Sequence, residues 1–155
     1  MNRSENARAF CRLLAENPVI AAIKDEEGLA RCLESDCQVV FILYGTICDI
    51  GEIVARIQQA GKFPVVHLDL VSGLTPKEIS VDFICTHTGA QGIISTRPGV
   101  IKYARQKGLL AIQRFFIIDS RALETMFRQL GTAAPDILEI LPGVMPRVTR
   151  SIQKK

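Results

Sequence analysis

The sequence predicts an α/β fold built on a parallel sheet. Six short apolar runs rich in Val, Ile and Leu recur along the chain, amphipathic stretches with helical spacing stand between them, and polar residues or turn formers close the runs. Parallel neighbours need crossover connections, and strands buried on both faces read as continuous rather than alternating apolar runs, so this alternation points to a sheet covered by helices.

In chain order the strands are expected at 18–24 (PVIAAIK), 38–45 (QVVFILYG), 63–70 (FPVVHLDL), 91–96 (QGIIST), 108–117 (GLLAIQRFFI) and 136–143 (DILEILPG). Each has a β-branched or aromatic apolar centre. The helical stretches are 27–35, 49–61, 75–89, 97–108 and 120–131, with a further helix in PRVTRSIQKK. Thr75, followed by Pro76 and by Glu78 three residues on, reads as a helix start, while Gly61, Gly89, Gly108 and Gly131 read as helix ends. Six βα units suit a doubly wound sheet or a (β/α)₈ barrel short of two units. Periodicity alone leaves both open, and both place function at the carboxyl ends of the strands.

At 155 residues and 48% hydrophobic, the chain is expected to be one domain, 1–155, with its own core. Its longest apolar stretches, such as 39–44 and 109–112, fall far short of the roughly 20 residues that span a bilayer. The opening MNRSENARAF is polar and lacks the apolar run of a signal peptide, so a cytoplasmic protein is expected. Five cysteines without a CxxC pair suggest neither a disulfide framework nor a zinc site. The net charge of +3 hides an asymmetry: residues 1–96 hold 8 Lys/Arg against 12 Asp/Glu, net −4, and residues 97–155 hold 11 against 4, net +7. Such charge usually marks solvated helix faces, yet Arg97, Lys102, Arg105, Lys107, Arg147, Arg150, Lys154 and Lys155 form a footprint that a polyanion could use. With two Tyr and no Trp, no stacking platform for RNA bases is visible.

The strand ends carry the chemistry. Lys24, Tyr44, Gly45, His67, Asp69, Ser95, Thr96, Arg114, Glu139, Pro142 and Gly143 gather there. In a continuous strand His67 and Asp69 would share one face. A lysine at such an end neutralises a phosphate or forms a Schiff base, although most are plain surface charges. Arg114 lies within an apolar run and requires a partner, for which Asp69 and Glu139 are the candidates. Two carboxylates, a lysine, an arginine and a histidine suit a small polyhydroxy or phosphorylated ligand. His87 falls on a helix, so no metal pair is indicated. GxGxxG, GxxxxGK[ST], HExxH and GxSxG are all absent, which weakens nucleotide-binding and hydrolase readings.

The blocks NPVIAAIK, FILYGTI, GKFPVVHLDLVSGL, HTGAQGIIST, IQRFFIIDSRALE and PDILEILPGVMP, running from about Asn17 to Arg147, resemble in order and spacing the glycerol-3-phosphate-responsive antiterminator family, the glycerol uptake operon regulators of bacteria. The resemblance implies a TIM-type barrel and a regulator that binds glycerol 3-phosphate and acts on the leader mRNA of glycerol-utilisation genes, preventing termination and stabilising the transcript. It implies no enzymatic activity and no cofactor beyond that effector. It makes Lys24, His67, Asp69, Arg114 and Glu139 a ligand site at the barrel mouth, with Gly73, Ser95, Thr96, Asp119 and Gly143 shaping the adjoining loops. It also implies two further βα units after PRVTRSIQKK, so this chain is expected as a barrel lacking its last two units, with exposed edges that favour self-association. The alternative is a barrel lyase or isomerase acting on a small sugar phosphate through Lys24 or Asp69.

Overall fold

The computed structural model describes residues 3–154. A helix α1 (Arg3–Glu16) precedes β1 (Ile20–Ile23), α2 (Glu26–Glu34), β2 (Val39–Ile42), α3 (Ile50–Gln59), β3 (Phe63–His67), a 3₁₀ turn (Leu68–Leu70), α4 (Glu78–His87), β4 (Gly92–Ser95), α5 (Pro98–Gln106), β5 (Leu110–Phe116), α6 (Ser120–Ala133), β6 (Ile137–Leu141) and α7 (Pro146–Gln153). All strand pairs are parallel, and the order β1-β2-β3-β4-β5-β6 follows the chain without reversal. The result is a six-stranded sheet curled into a half-barrel, with β1 and β6 as its free edges. No helix among the described residues is long and apolar enough to cross a membrane.

Strand alternation sorts the core into two layers. Outward residues Val40, Ile42, Val66, Ile93 and Ala111 pack against Leu29 of α2, Ile53, Val54 and Ile57 of α3, Val81 and Ile84 of α4, and Ile101 and Ala104 of α5. Phe115, Ile117, Leu138 and Ile140 continue that layer under Met126 of α6 and Val148 of α7. Inward residues Val39, Phe41, Phe63, Val65, Ile94, Leu110 and Ile112 form the concave layer, and Phe10 of α1 sits in it. The Phe10 ring stacks on Phe41 at 6.5 Å and meets Phe63 edge-on at 5.9 Å.

The first helix lies outside every element expected from the sequence, and its seat explains it. Arg3 Nη1 is 2.5 Å from Asp136 Oδ1, just before β6, and Asp136 Oδ2 accepts the backbone N–H of Ala111. Asn6 Nδ2 donates to the Gly108 carbonyl at 3.4 Å. These ties fix α1 across the amino ends of the strands.

Three boundaries move for identifiable reasons. The third strand ends at His67 because Leu68–Leu70 turns into a 3₁₀ helix. The Thr75 carbonyl accepts from Lys77 N–H and from Ser80 Oγ, so the chain bends there and α4 begins at Glu78 instead of being capped by Thr75. Gly131 lies inside α6, whose left-handed end is taken by Ala134 at φ 44°. Gly61 and Gly108, by contrast, follow α3 and α5 with φ of 74° and 89°, the left-handed conformation that glycine adopts most cheaply.

Phe10→Ala removes the ring that closes the concave layer. A loss of about 3–5 kcal/mol in urea unfolding is expected, at the upper end if α1 detaches.

Candidate functional site

Alternation along the strands carries Lys24, His67, Arg114 and Glu139 to the concave side at the carboxyl ends, in line with the apolar inward residues below them. Arg114 and Glu139 are register partners on β5 and β6. Arg114 Nε donates to Glu139 Oε2 at 2.6 Å and Nη2 to Oε1 at 2.9 Å, a two-pronged pairing that settles which carboxylate serves the arginine. Their side chains are 12% and 20% exposed, so each charge depends on the other.

His67 ends β3 at 2% exposure, and among the described residues neither ring nitrogen has a hydrogen-bond partner on another residue. Its pKa is lowered, first by burial away from water and then by the Arg114 cation, against the opposing pull of Asp69, Glu139 and its own backbone. Lys24, just past β1, is exposed.

Asp69 does not share a strand face with His67, because the chain has left the strand. Its carboxylate accepts Ser95 Oγ at 2.6 Å, the Thr96 N–H at 2.8 Å and Thr96 Oγ1 at 2.8 Å, while Ser95 Oγ accepts the Arg97 N–H. Three expected ligand residues thus meet, and they clamp the start of α5 to the 3₁₀ turn. The loops after β2 and β3 are joined as well: Gly45 O accepts Ser72 N–H and Ser72 O accepts Ile47 N–H. At Gly73, φ is 89° and a Cβ would stand 3.0 Å from the Ile47 side chain, so glycine is required twice over. Asp119 caps α6 through Ala122 N–H, and Gly143 is exposed after the cis Leu141–Pro142 bond.

Around these groups stand the partners of Tyr44, a strand-end residue named from the sequence, and further features that the strand ends did not announce. Tyr44 donates to Glu26, which also binds Arg56, and burial with the nearby Glu26 charge pushes the phenol up to about 12. The element ends and loops at this side expose Ile47, Leu70, Phe116, Ile118 and Val144, the last two at 81% and 80%. A groove of about 630 Å³ runs between the starts of α4 and α5, lined by Pro76, Lys77, Glu78, Ile79, Arg97 and Val100. The apolar rim was readable in FFII; the groove depends on where α4 begins.

The basic footprint divides. Lys107 holds Asp82 at 2.6 Å beside Tyr103, which raises its pKa, and Arg105 Nε lies 3.6 Å from Asp136. Both are tied to carboxylates. Arg97 and Lys102 remain exposed at α5, as do Arg147, Arg150 and Lys154 at α7; Lys155 lies outside the described residues. The two groups flank α6.

Arg114→Ala leaves Glu139 largely buried without its cation and is expected to cost about 3 kcal/mol in urea unfolding, whereas the Arg114→Leu/Glu139→Leu pair should fall within about 1 kcal/mol of the parent. His67 imposes a pH dependence of its own. Because its folded pKa lies below the usual 6.5, the unfolded chain binds the proton more readily, so its contribution is complete above pH 6.5 and is lost as pH falls through the folded value. Melting temperatures measured between pH 7.5 and 5 should therefore drop less steeply for His67→Gln.

Comparison with known proteins places this arrangement. Residues 19–155 match the glycerol-3-phosphate responsive antiterminator family. The uncharacterised protein YgcP of Escherichia coli (strain K12) is 43% identical over 143 residues, covering 92% of this chain and 75% of its own length. The crystal structure of the glycerol uptake operon antiterminator regulatory protein of Listeria monocytogenes str. 4b F2365 superposes with a TM-score of 0.84 at 35% identity, over 90% of this chain and 76% of that one. A glycerol uptake operon antiterminator-related protein of Thermotoga maritima MSB8 gives 0.77 at 34% identity, over 86% and 76%. With the family matched through every strand and helix from β1 onward, this chain belongs to the glycerol-3-phosphate responsive antiterminators.

Proposed function

We propose that this protein is a ligand-gated regulator: glycerol 3-phosphate binds at the concave carboxyl end of the half-barrel, and the loaded form acts on the leader mRNA of glycerol-utilisation genes, preventing termination and stabilising the transcript. The observation that carries this reading is the family match across residues 19–155, supported by a fold that gathers Lys24, His67, Arg114 and Glu139 at one end of the sheet. We read the sheet as six strands of a TIM-type barrel, since a doubly wound sheet reverses its strand order and this one does not.

Within that reading the phosphate meets Lys24 and the free edge of the Arg114 guanidinium, whose Nε and Nη2 are occupied by Glu139 and whose remaining N–H groups are available. The glycerol hydroxyls meet carboxylate and hydroxyl groups of the Glu139 and Thr96 neighbourhood. The lyase or isomerase alternative loses support from the same geometry. Asp69 is engaged by Ser95 and Thr96, and Lys24 is exposed, whereas an amine nucleophile is usually activated by burial away from water.

For RNA, the exposed cations at α5 and α7 are the proposed contacts, Arg97, Lys102, Arg147, Arg150 and Lys154, together with Lys155, which lies outside the described residues. Coupling requires that the ligand-loaded state bind RNA with a different affinity from the empty one.

Calorimetric titration tests the first half. Glycerol 3-phosphate should bind while glycerol and inorganic phosphate bind at least about tenfold more weakly, and Lys24→Ala should weaken binding by about 10–100-fold. RNA binding should fall steeply with salt and differ with and without saturating ligand. Equal RNA affinity in the two conditions would remove the coupling.

A further inference from the structure

His67 is 2% exposed, yet among the described residues neither ring nitrogen meets a hydrogen-bond partner on another residue and only its own backbone lies near, whereas a buried imidazole ordinarily spends at least one nitrogen on a neighbour. The charged groups facing it are Arg114 from β5, Glu139 from β6 and Asp69 from the 3₁₀ turn. The inward residues beside it, Leu43 just past β2 and Ile94 on β4, are apolar. Neither carboxylate is available to hold a proton on the ring. Glu139 gives both oxygens to Arg114, and Asp69 is held by Ser95 and Thr96. His67 therefore sits neutral beside an Arg114–Glu139 pair whose charges match and an Asp69 carboxylate held by hydrogen bonds.

An arriving phosphate dianion breaks that match. Whether it adds to the open edge of the Arg114 guanidinium or displaces Glu139 from it, negative charge beside the imidazole increases, in a site where water screens it poorly. We infer that ligand binding is proton-coupled: when the phosphate dianion binds at the strand ends, His67 takes one proton from solvent and becomes the imidazolium that balances the added charge. The only covalent changes are the new N–H on the ring and the bond to that proton broken in the hydronium or buffer acid that donates it, whose conjugate base stays in solution. The inference rests on the ligand reading above and deepens it by assigning the group that senses the ligand's charge.

Linkage sets the sign. A ligand that favours the protonated ring is itself favoured by the proton, so affinity falls as pH rises between the free and the bound pKa of His67, by up to about tenfold per pH unit. Below the free value the ring is charged already, and above the bound value it stays neutral, so the dependence flattens on both sides. The second ionisation of a phosphate monoester near pH 6 acts in the opposite direction, so the window to use lies at about pH 7.5–8.5, where the ligand is a dianion throughout.

The experiment is titration of glycerol 3-phosphate into the full chain at pH 7.5 in two buffers of different ionisation enthalpy, Tris and HEPES. The observed heats are expected to differ by an amount corresponding to uptake of up to one proton per ligand, with affinity falling between pH 7.5 and 8.5. In His67→Gln, the heats in the two buffers should coincide and the pH dependence should flatten. Should that variant fail to fold, the parent supplies a second readout, because the chain has only two histidines. His87 is exposed on α4, so with His87→Gln the imidazole resonances of His67 stand alone, and ligand should move them toward the imidazolium position at pH 7.5. Binding with buffer-independent heat and an unmoved His67 resonance overturns the proton coupling and leaves the ligand reading standing. Absence of binding by the parent chain overturns the ligand reading, and the coupling with it.

Discussion

The structure depends on one topological constraint: six parallel strands in chain order. Each crossover has the same hand, so α2 to α7 all fall on one face of the sheet and leave the other face to be covered by something else. That other face is as apolar as the first over most of its length. The helix that precedes the first strand covers it, through Phe10 set against Phe41 and Phe63. Remove that cover and the concave core would face water.

Because α1 crosses the amino ends of the strands, the concave surface has a polarity along its length. Its base is hydrocarbon, from Val39 and Phe63 to Ile112, and its upper end carries charge, the Arg114–Glu139 pair in the same layer as a neutral His67. The charged end could not be buried as cheaply as the base, which is why its ions are paired and its imidazole neutral. Rigidity comes from the loops. Asp69 fastens the start of α5, and Ser72 fastens the loop after β2, so the mouth is built of hydrogen-bonded turns rather than free chain. Such a frame holds the charges at fixed spacing, as a site for a small anion requires.

Much of this was legible in the residues. Apolar runs located all six strands, alternation assigned His67 to the concave side, and the cost of an unpaired guanidinium limited Arg114 to two partners, one of which it has. The Asp69 side chain was misplaced because alternation holds only while a strand continues, and nothing in HLDLV announces a 3₁₀ turn. The first helix was missed for a different reason. RSENARAFCRLLAE carries Ala7, Phe10, Leu13 and Leu14 at helical spacing, but its opening reads only as a polar stretch without a signal peptide's apolar run; tertiary packing shows its worth. Lys107 and Arg105 likewise read as part of a polyanion footprint because their partners, Asp82 and Asp136, are 25 and 31 residues distant in sequence, beyond the reach of local charge patterns.

The seat of α1 also governs the order in which the molecule can be made. Arg3 reaches Asp136 and Asn6 reaches Gly108, spans of 133 and 102 residues, so this helix, synthesised ahead of all six strands, has no finished place to rest until the fifth strand and the approach to the sixth have left the ribosome. The outer layer, made of contacts between each strand and its neighbouring helix, can assemble progressively as the chain emerges. Closure of the inner layer must wait. During that interval Phe10 and the concave faces of β2 and β3 are exposed together, and the nascent half-barrel is at its most vulnerable to association with other chains.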